Sequence, residues 1–290
     1  MLNTIVVGVD ARSGGDDALA LARRLSQLDD AAVVVTSATV TASGRGLRTS
    51  ENAERDAEHA LNRARAHLGA EANVEVRPSE GPTVAAALER LTAETGADLV
   101  VVGASHRAPA GQVLGGSILS ELLHAGIPVA VAPQGFATRA PRDWRQVAVA
   151  VDDSEASDAA VAFAATLTRV TGEPLRRVDL VAVDPRPVLE TFPDGEPVPE
   201  AASKRMELDQ LVARAAARLP DGVEVGETRA FGPPGEALED ITRDRDVLVC
   251  GAHGRGTLGR LLFGSVSETV ASHPGCPVVI VPAAAERAAS

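Results

Sequence analysis

Aromatic residues are nearly missing from this chain: 290 residues include no tyrosine, one tryptophan and five phenylalanines. Any core must therefore be aliphatic, filled by Val, Leu, Ile and Ala. Lysine is scarcer still, with Lys204 standing alone, so arginine carries nearly all the positive charge. The net charge is −12. So acidic a chain lacks the basic face that holds a phosphate backbone, which argues against a nucleic-acid partner. Two cysteines, Cys250 and Cys276, make no disulfide framework and no metal-ligand spacing. The histidines are scattered, without H-E-x-x-H or a Cys/His cluster, so no metal site is expected. No apolar run approaches the ~20 residues of a membrane span. The N-terminal "MLNTIVVGVD" has no basic n-region and reads as a first strand, not a signal peptide. The expected location is the cytoplasm, with no membrane partner.

What the chain does contain is itself, twice. "TIVVGVDARS" at 4–13 answers "QVAVAVDDSE" at 146–155. "DLVVVGASHR" at 98–107 answers "DVLVCGAHGR" at 246–255, and "IPVAVAP" at 127–133 answers "CPVVIVP" at 276–282. The matches keep their order and spacing, as a tandem duplication would. Two domains are expected, at 1–135 and 145–284, joined by "QGFATRAPRDW" at 134–144. Each reads as alternating strands and helices. Strands are expected near 4–9, 33–40, 73–77, 98–102 and 128–132, then near 146–151, 178–183, 223–229, 246–250 and 277–281. Helices are expected near 15–27, 51–68, 83–95 and 117–124, then near 156–168, 200–219, 235–243 and 265–272. Leu208, Leu211, Val212, Ala215, Ala216 and Leu219 recur at helical spacing, a core stripe. The strands are unbroken Val/Leu/Ile runs without alternation. That suits a parallel sheet buried on both faces, an α/β class. The segments 41–50 and 184–200 read as lids or plain connections.

Glycines crowd "GAHGRGTLGRLLFGS" at 251–265 and allow two frames. Gly254, Gly256 and Gly259 spell the dinucleotide fingerprint G-x-G-x-x-G. The internal copy, "GASHRAPAGQVLGGS" at 103–117, puts His106 and Ala108 where two of those glycines should stand. The fingerprint also belongs after a first strand, whereas these glycines follow a fourth. The frame that fits is G-x2-G-x9-G-[ST]: Gly251, Gly254, Gly264 and Ser265. Gly251 and Gly254 would let backbone approach a phosphate. Gly264 and Ser265 sit where a helix begins, and its free N–H groups and dipole attract an anion. The Ser265 hydroxyl adds a donor and also suits a helix cap. The plainer alternative is a turn with a capped helix and no ligand. "SGGDDA" at 13–18 is similar to the pyrophosphatase loop S-G-G-x-D-S but has Ala18 in place of the last serine. Cys250 and Cys276 fall at opposite ends of neighbouring strands and read as core residues without a disulfide.

These elements, "VAVDDS", "GAHGRGTLGRLLFGSVSE" and "CPVVIVP", with "VGVD", "GASHRAPAGQVLGGS" and "IPVAVAP" in the first half, resemble the universal stress proteins in their tandem two-domain form. The resemblance implies two tandem doubly wound five-stranded parallel sheets of order 3-2-1-4-5, Rossmann-like. It implies ATP, with or without Mg2+, at the switch point of the sheet. In ATP-binding members the equivalent of Asp152 contacts ribose, and the glycine loop and its serine, here Gly251, Gly254, Gly264 and Ser265, hold the phosphates, with Val266 also among the expected cofactor-binding positions. Backbone near Val183 would meet adenine. The first-half equivalents are Asp10, Gly103, Gly116 and Ser117. There His106 replaces a glycine, so weaker nucleotide binding is expected in that half. The family also implies that the two last strands meet inside one molecule as a pseudo-dimer. Association into a homodimer is left open, as is an unknown protein partner. The function expected is a stress-response module that holds adenine nucleotide. A slow ATPase, or an interaction protein without nucleotide, are the alternatives.

Overall fold

The computed structural model describes residues 2–10, 13–40, 50–68, 73–104, 114–139, 144–168, 177–185, 199–252 and 264–283. In the first half, β1 (Thr4–Gly8) leads through α1 (Ser13–Asp29) to β2 (Ala32–Thr36) and a short β3 (Ala38–Val40). Then come α2 (Ser50–Leu68), β4 (Val74–Val76), a short β5 (Ser79–Gly81), α3 (Val84–Thr95), β6 (Leu99–Gly103), α4 (Leu114–His124) and β7 (Val129–Ala132). A single helical turn, α5 (Phe136–Arg139), lies between the halves. The second half runs β8 (Gln146–Val151), α6 (Glu155–Thr168), β9 (Arg177–Asp184), α7 (Pro199–Ala216) and β10 (Glu224–Phe231). It ends with α8 (Pro234–Ile241), a 3-10 turn at Thr242–Asp244, β11 (Val247–Gly251), α9 (Ser265–Ser272) and β12 (Val278–Val281).

Ten of the strands form one sheet in the order β10-β9-β8-β11-β12-β7-β6-β1-β2-β4. Within each half every neighbouring pair is parallel, and the order is third, second, first, fourth, fifth. The halves meet through their last strands. β7 and β12 pair antiparallel, with Val131 opposite Val278, Ala130 opposite Val279 and Val129 opposite Ile280. Each last strand thus covers the other's open edge, which would otherwise be an aggregation hazard.

The sheet is buried on both faces, as its unbroken apolar strands require. One core joins α1, α2, α6 and α7 to the sheet, through Leu21, Leu25, Leu61, Leu167 and Val212 among others. The opposite core joins α3, α4, α8 and α9, through Leu88, Leu122, Leu238 and Val270. Both cores run across the two halves. Cys250 and Cys276 are free thiols, each buried in the second core.

Two expectations need correction. The strand expected over 33–40 is broken at Ser37. β3 leaves the main sheet and pairs with β5 in a separate two-stranded ladder, Ala38 opposite Ser79. Pro78 lies between β4 and β5 with its N–H-less side turned away from β2, while Arg77 and Ser79 on either side donate to the Val35 and Ser37 carbonyls at 3.0 and 3.4 Å. In the second half β9 and β10 stay in one register from Arg177 and Glu224 to Asp184 and Phe231. The helix expected over 200–219 ends at Ala216, although Leu219 still packs on the core.

The start of the linker is docked on the first half. The Asp17 carboxylate on α1 accepts the Gly135 and Ala137 N–H groups, each at 2.9 Å, and so caps α5. Phe136 is buried edge-on against Trp144, with ring centroids 6.4 Å apart, and the Arg24 guanidinium lies over the Trp144 ring. Residues 140–143, 41–49 and 186–198, the last two within the segments read as lids or connections, lie outside the described residues.

Candidate functional site

In this strand order the switch point of the second half lies between β8 and β11, beyond their carboxyl ends. A cleft of about 390 Å³ opens there, within the range of about 300–1,000 Å³ usual for small-molecule pockets. It is lined by Asp152, Val183, Gly251, Gly264, Ser265 and Val266, all singled out from the sequence. Gly254 lies outside the described residues, so its place is not defined.

Asp152 follows the last residue of β8. Its Oδ1 accepts the Ser154 N–H at 3.0 Å and the Ser154 hydroxyl, closing an Asx turn. Ser154 in turn caps α6, its hydroxyl accepting the Ser157 N–H at 3.1 Å. The Asp152 N–H donates back to the Ser157 hydroxyl at 3.0 Å. One carboxylate oxygen is therefore fixed, and among the described residues nothing donates to the other.

Facing Asp152 is the start of α9. Gly264 is the residue before the helix, in extended backbone, and its N–H donates to the Ala252 carbonyl at 3.1 Å. The first helical bond runs from Glu268 N–H to the Gly264 carbonyl at 3.0 Å. The N–H groups of Ser265, Val266 and Ser267 come before it and have no acceptor among the described residues. They are the orphan donors of a helix N-terminus, and all three residues line the cleft. The expected cap by Ser265 is not seen. Ser265 is the first helical residue and is exposed, and the helix has no side-chain cap. Ser267 does the tying instead, its hydroxyl donating to the Ala252 carbonyl at 3.0 Å.

Gly251 has a reason of its own. A β-carbon there would come 2.8 Å from both the carbonyl carbon and the β-carbon of Ala156. The glycine lets the first turn of α6 sit against the end of β11, which brings Asp152 to the cleft. The apolar wall is supplied by Val181, Val183 and Leu238, with Cys250 beside them. Burial pushes the Cys250 thiol up to about 12, so it stays protonated at neutral pH. Ser154, Ser157, Ser267 and Cys250 were not singled out as site residues. The run "DDSEAS" after a strand carries the polar, capping composition that would have revealed the two serines.

The first half repeats part of this arrangement. Asp10 is exposed beyond the end of β1, and Gly103 closes β6. A β-carbon at Gly103 would fall 2.1 Å from the Gly14 carbonyl oxygen, so this glycine too admits the first turn of a helix, here α1. Gly116 and Ser117 do not start a helix. α4 begins at Leu114, the counterpart of Leu262, whereas α9 begins at Ser265, the counterpart of Ser117. His106 lies outside the described residues.

Known proteins agree with this architecture. The profile described as "Universal stress protein family" matches residues 1–133 and again 143–282. A universal stress protein of Mycobacterium tuberculosis (strain ATCC 25618 / H37Rv) is 33% identical over 149 residues. That match covers 49% of this chain and 49% of the relative, about half the length of each. A universal stress protein of Mycolicibacterium smegmatis (strain ATCC 700084 / mc(2)155) is 30% identical over 299 residues, covering 96% of both chains. Among solved structures, a universal stress protein from Archaeoglobus fulgidus DSM 4304 superposes with a TM-score of 0.66 at 17% identity, covering 98% of both chains. A putative universal stress protein from Pseudomonas aeruginosa UCBPP-PA14 gives 0.63 at 16% identity, covering 97% of this chain and 93% of that one. At such identities these two speak for the fold. With the family profile matched by both halves, and a relative similar along almost the full length, the chain belongs to the universal stress protein family.

Proposed function

We propose that this protein binds an adenine nucleotide, ATP in the first instance, in the cleft of its second half, and acts as a regulatory or protective module in a stress response. The observation that carries this reading is the meeting of two kinds of group across one cleft. On one side, Asp152 offers a carboxylate oxygen without a protein donor among the described residues. Opposite lie the unpaired N–H groups of Ser265, Val266 and Ser267 at the start of α9. A ribose suits the first, since its hydroxyls donate. Phosphate suits the second, since it accepts hydrogen bonds and is drawn by the helix dipole. The apolar wall of Val181, Val183 and Leu238 suits a base.

Mg2+ would come with the nucleotide as the counter-ion of its phosphates. Among the described residues no group of three His, Cys, Asp or Glu forms a metal site of its own. A cytoplasmic location goes with this reading. Among the described residues no helix is long and apolar enough to cross a membrane.

Equilibrium dialysis with labelled ATP tests the proposal. Saturable binding is expected, and it should be lost in a Gly264→Val, Ser265→Ala variant that still folds. No binding at millimolar nucleotide would remove the proposal and leave an interaction protein without nucleotide. Phosphate release above the buffer rate by the purified protein would instead make it an ATPase.

A further inference from the structure

The two outer edges of the ten-stranded sheet are unlike. One is β4, three residues long and followed by Pro78. Short strands and proline are common ways of blunting an edge. The other is β10, eight residues long, without proline, and among the described residues nothing pairs with its outer side.

The register of β10 defines what that side offers. The Gly232 N–H donates inward to the Asp184 carbonyl at 2.9 Å. Backbone direction alternates along a strand, so the even-numbered residues of β10 bond to β9. Val225, Glu227, Arg229 and Phe231 turn their N–H and C=O groups outward. Their side chains share one face, because they stand opposite Val178, Leu180, Ala182 and Asp184 of β9, on the α6 and α7 side. Val225 and Phe231 are 38% and 53% exposed, a high exposure for such side chains. Glu227 and Arg229 lie between them, with Arg229 ion-paired to Asp209 of α7 and 3.4 Å from Glu227.

The sequence V-G-E-T-R-A-F, residues 225–231, complements itself about Thr228. We infer that a second copy of this chain docks antiparallel on β10, with the two-fold axis at Thr228, extending the sheet across both molecules. In this register Glu227 faces Arg229 of the other copy, Val225 faces Phe231, and Gly226 faces Ala230. Each pairing occurs twice. The outward residues then fall in hydrogen-bonded pairs, and Thr228 meets its own copy in a non-hydrogen-bonded pair. Neighbouring two-fold registers fail on charge. Centring on Glu227 sets two glutamates face to face, and centring on Arg229 sets two arginines face to face, each a destabilising cross-strand pair. This edge is separate from the β7–β12 junction and from the nucleotide cleft, so the inference stands whether or not nucleotide binds.

Sedimentation and light scattering of the full chain test it. The wild-type protein is expected at twice the chain mass. Glu227→Arg and Arg229→Glu should each give single chains, since each sets like charges opposite. An equimolar mixture of the two should recover the doubled mass, because arginines on one strand then face glutamates on the other. Both positions are exposed, and circular dichroism confirms that the variants fold. Thr228→Cys should form an interchain disulfide on mild oxidation. Non-hydrogen-bonded pairs hold Cα atoms about 4.5 Å apart, inside the disulfide range of about 4.4–6.8 Å. A wild-type protein that stays a single chain at every concentration overturns the inference. So does a doubled mass that neither charge variant disturbs, or a Thr228→Cys chain that does not cross-link.

Discussion

Gly251 at the end of β11 touches the first turn of α6 at Ala156, so closely that a β-carbon would come 2.8 Å from the Ala156 carbonyl carbon. Gly103 and Gly14 stand in the same relation in the first half. The glycine that opens the phosphate motif is thus a packing glycine as well. Gly251→Ala should push α6 outward. Overpacking of this kind costs about 1–3 kcal/mol, which urea titration of the variant would reveal as a lower midpoint. Because Asp152 and Ser154 lead into α6, ATP affinity should fall with it. A variant as stable as wild type would mean that the contact is not tight.

Asp152 has two separable duties, and two substitutions tell them apart. Its Oδ1 closes the turn with Ser154, while Oδ2 is assigned to the ligand. Asp152→Asn keeps an acceptor for the turn but sets an amide or a neutral oxygen toward the cleft. Asp152→Ala loses both. If the carboxylate holds the ribose, both variants should lose ATP affinity about tenfold or more, since hydrogen bonds to charged groups contribute about 1.5–3 kcal/mol. Calorimetric titration reads this directly. Wild-type affinity in Asp152→Asn would reduce Asp152 to a turn residue.

The cap between Asp17 and α5 spans more than a hundred residues of chain and fixes the start of the linker. Asp17→Ala leaves the Gly135 and Ala137 N–H groups without their acceptor. The expected cost is about 1–3 kcal/mol. The loss should be local first, so hydrogen exchange should rise at 135–139 before the sheet is affected. Unchanged protection there would show that Phe136 and Trp144 hold the segment alone.

How much of this was legible in the sequence depends on the range of the interaction. The five strands of each half and the α9 boundaries could be read, because apolar runs and glycine punctuation are local, although the edge strands β4 and β10 are more exposed than unbroken apolar runs would be. The pairing of β7 with β12 followed from the repeat and the family resemblance. The β3–β5 ladder was not legible, because it depends on the pairing of two three-residue segments about forty residues apart in sequence. The docking of α5 was hidden for the same reason: nothing near Gly135 points to Asp17. At the site, residues were found where their type is chemically marked, as with Asp152, Gly264 and Ser265. Ser267 and Cys250 escaped because a serine inside a helix and a cysteine in a strand look like ordinary packing.

Both thiols link stability to pH. Burial pushes Cys250 and Cys276 up to about 12 from the ordinary 9.0. A raised pKa in the folded state means that the folded chain keeps protons which the unfolded chain sheds. The contribution is full below about pH 9 and is lost as pH rises toward about 12, at up to about 1.4 kcal/mol per pH unit for each thiol. Urea midpoints should therefore fall between about pH 9 and about pH 11. A Cys250→Ala, Cys276→Ala variant should show a shallower fall over the same interval, from a lower starting stability. An equal slope in both proteins would place the pH dependence elsewhere.

The two halves should not hold nucleotide equally. In the second half the helix starts at Ser265, so the residues carrying its unpaired N–H groups line the cleft together with Asp152. In the first half α4 has already begun at Leu114, and Gly116 and Ser117 lie within the helix. A helix bonds its fourth residue onward within itself, so the Ser117 N–H is engaged where its counterpart at Ser265 is not. Residue 106, a histidine where the second half has Gly254, adds bulk to the same loop in sequence. Titration calorimetry should therefore give a stoichiometry near one nucleotide per chain. Gly264→Val should abolish that binding, while Gly116→Val should leave it nearly unchanged. Two equal sites, or a loss of binding in the Gly116 variant alone, would show that the early start of α4 does not decide the matter.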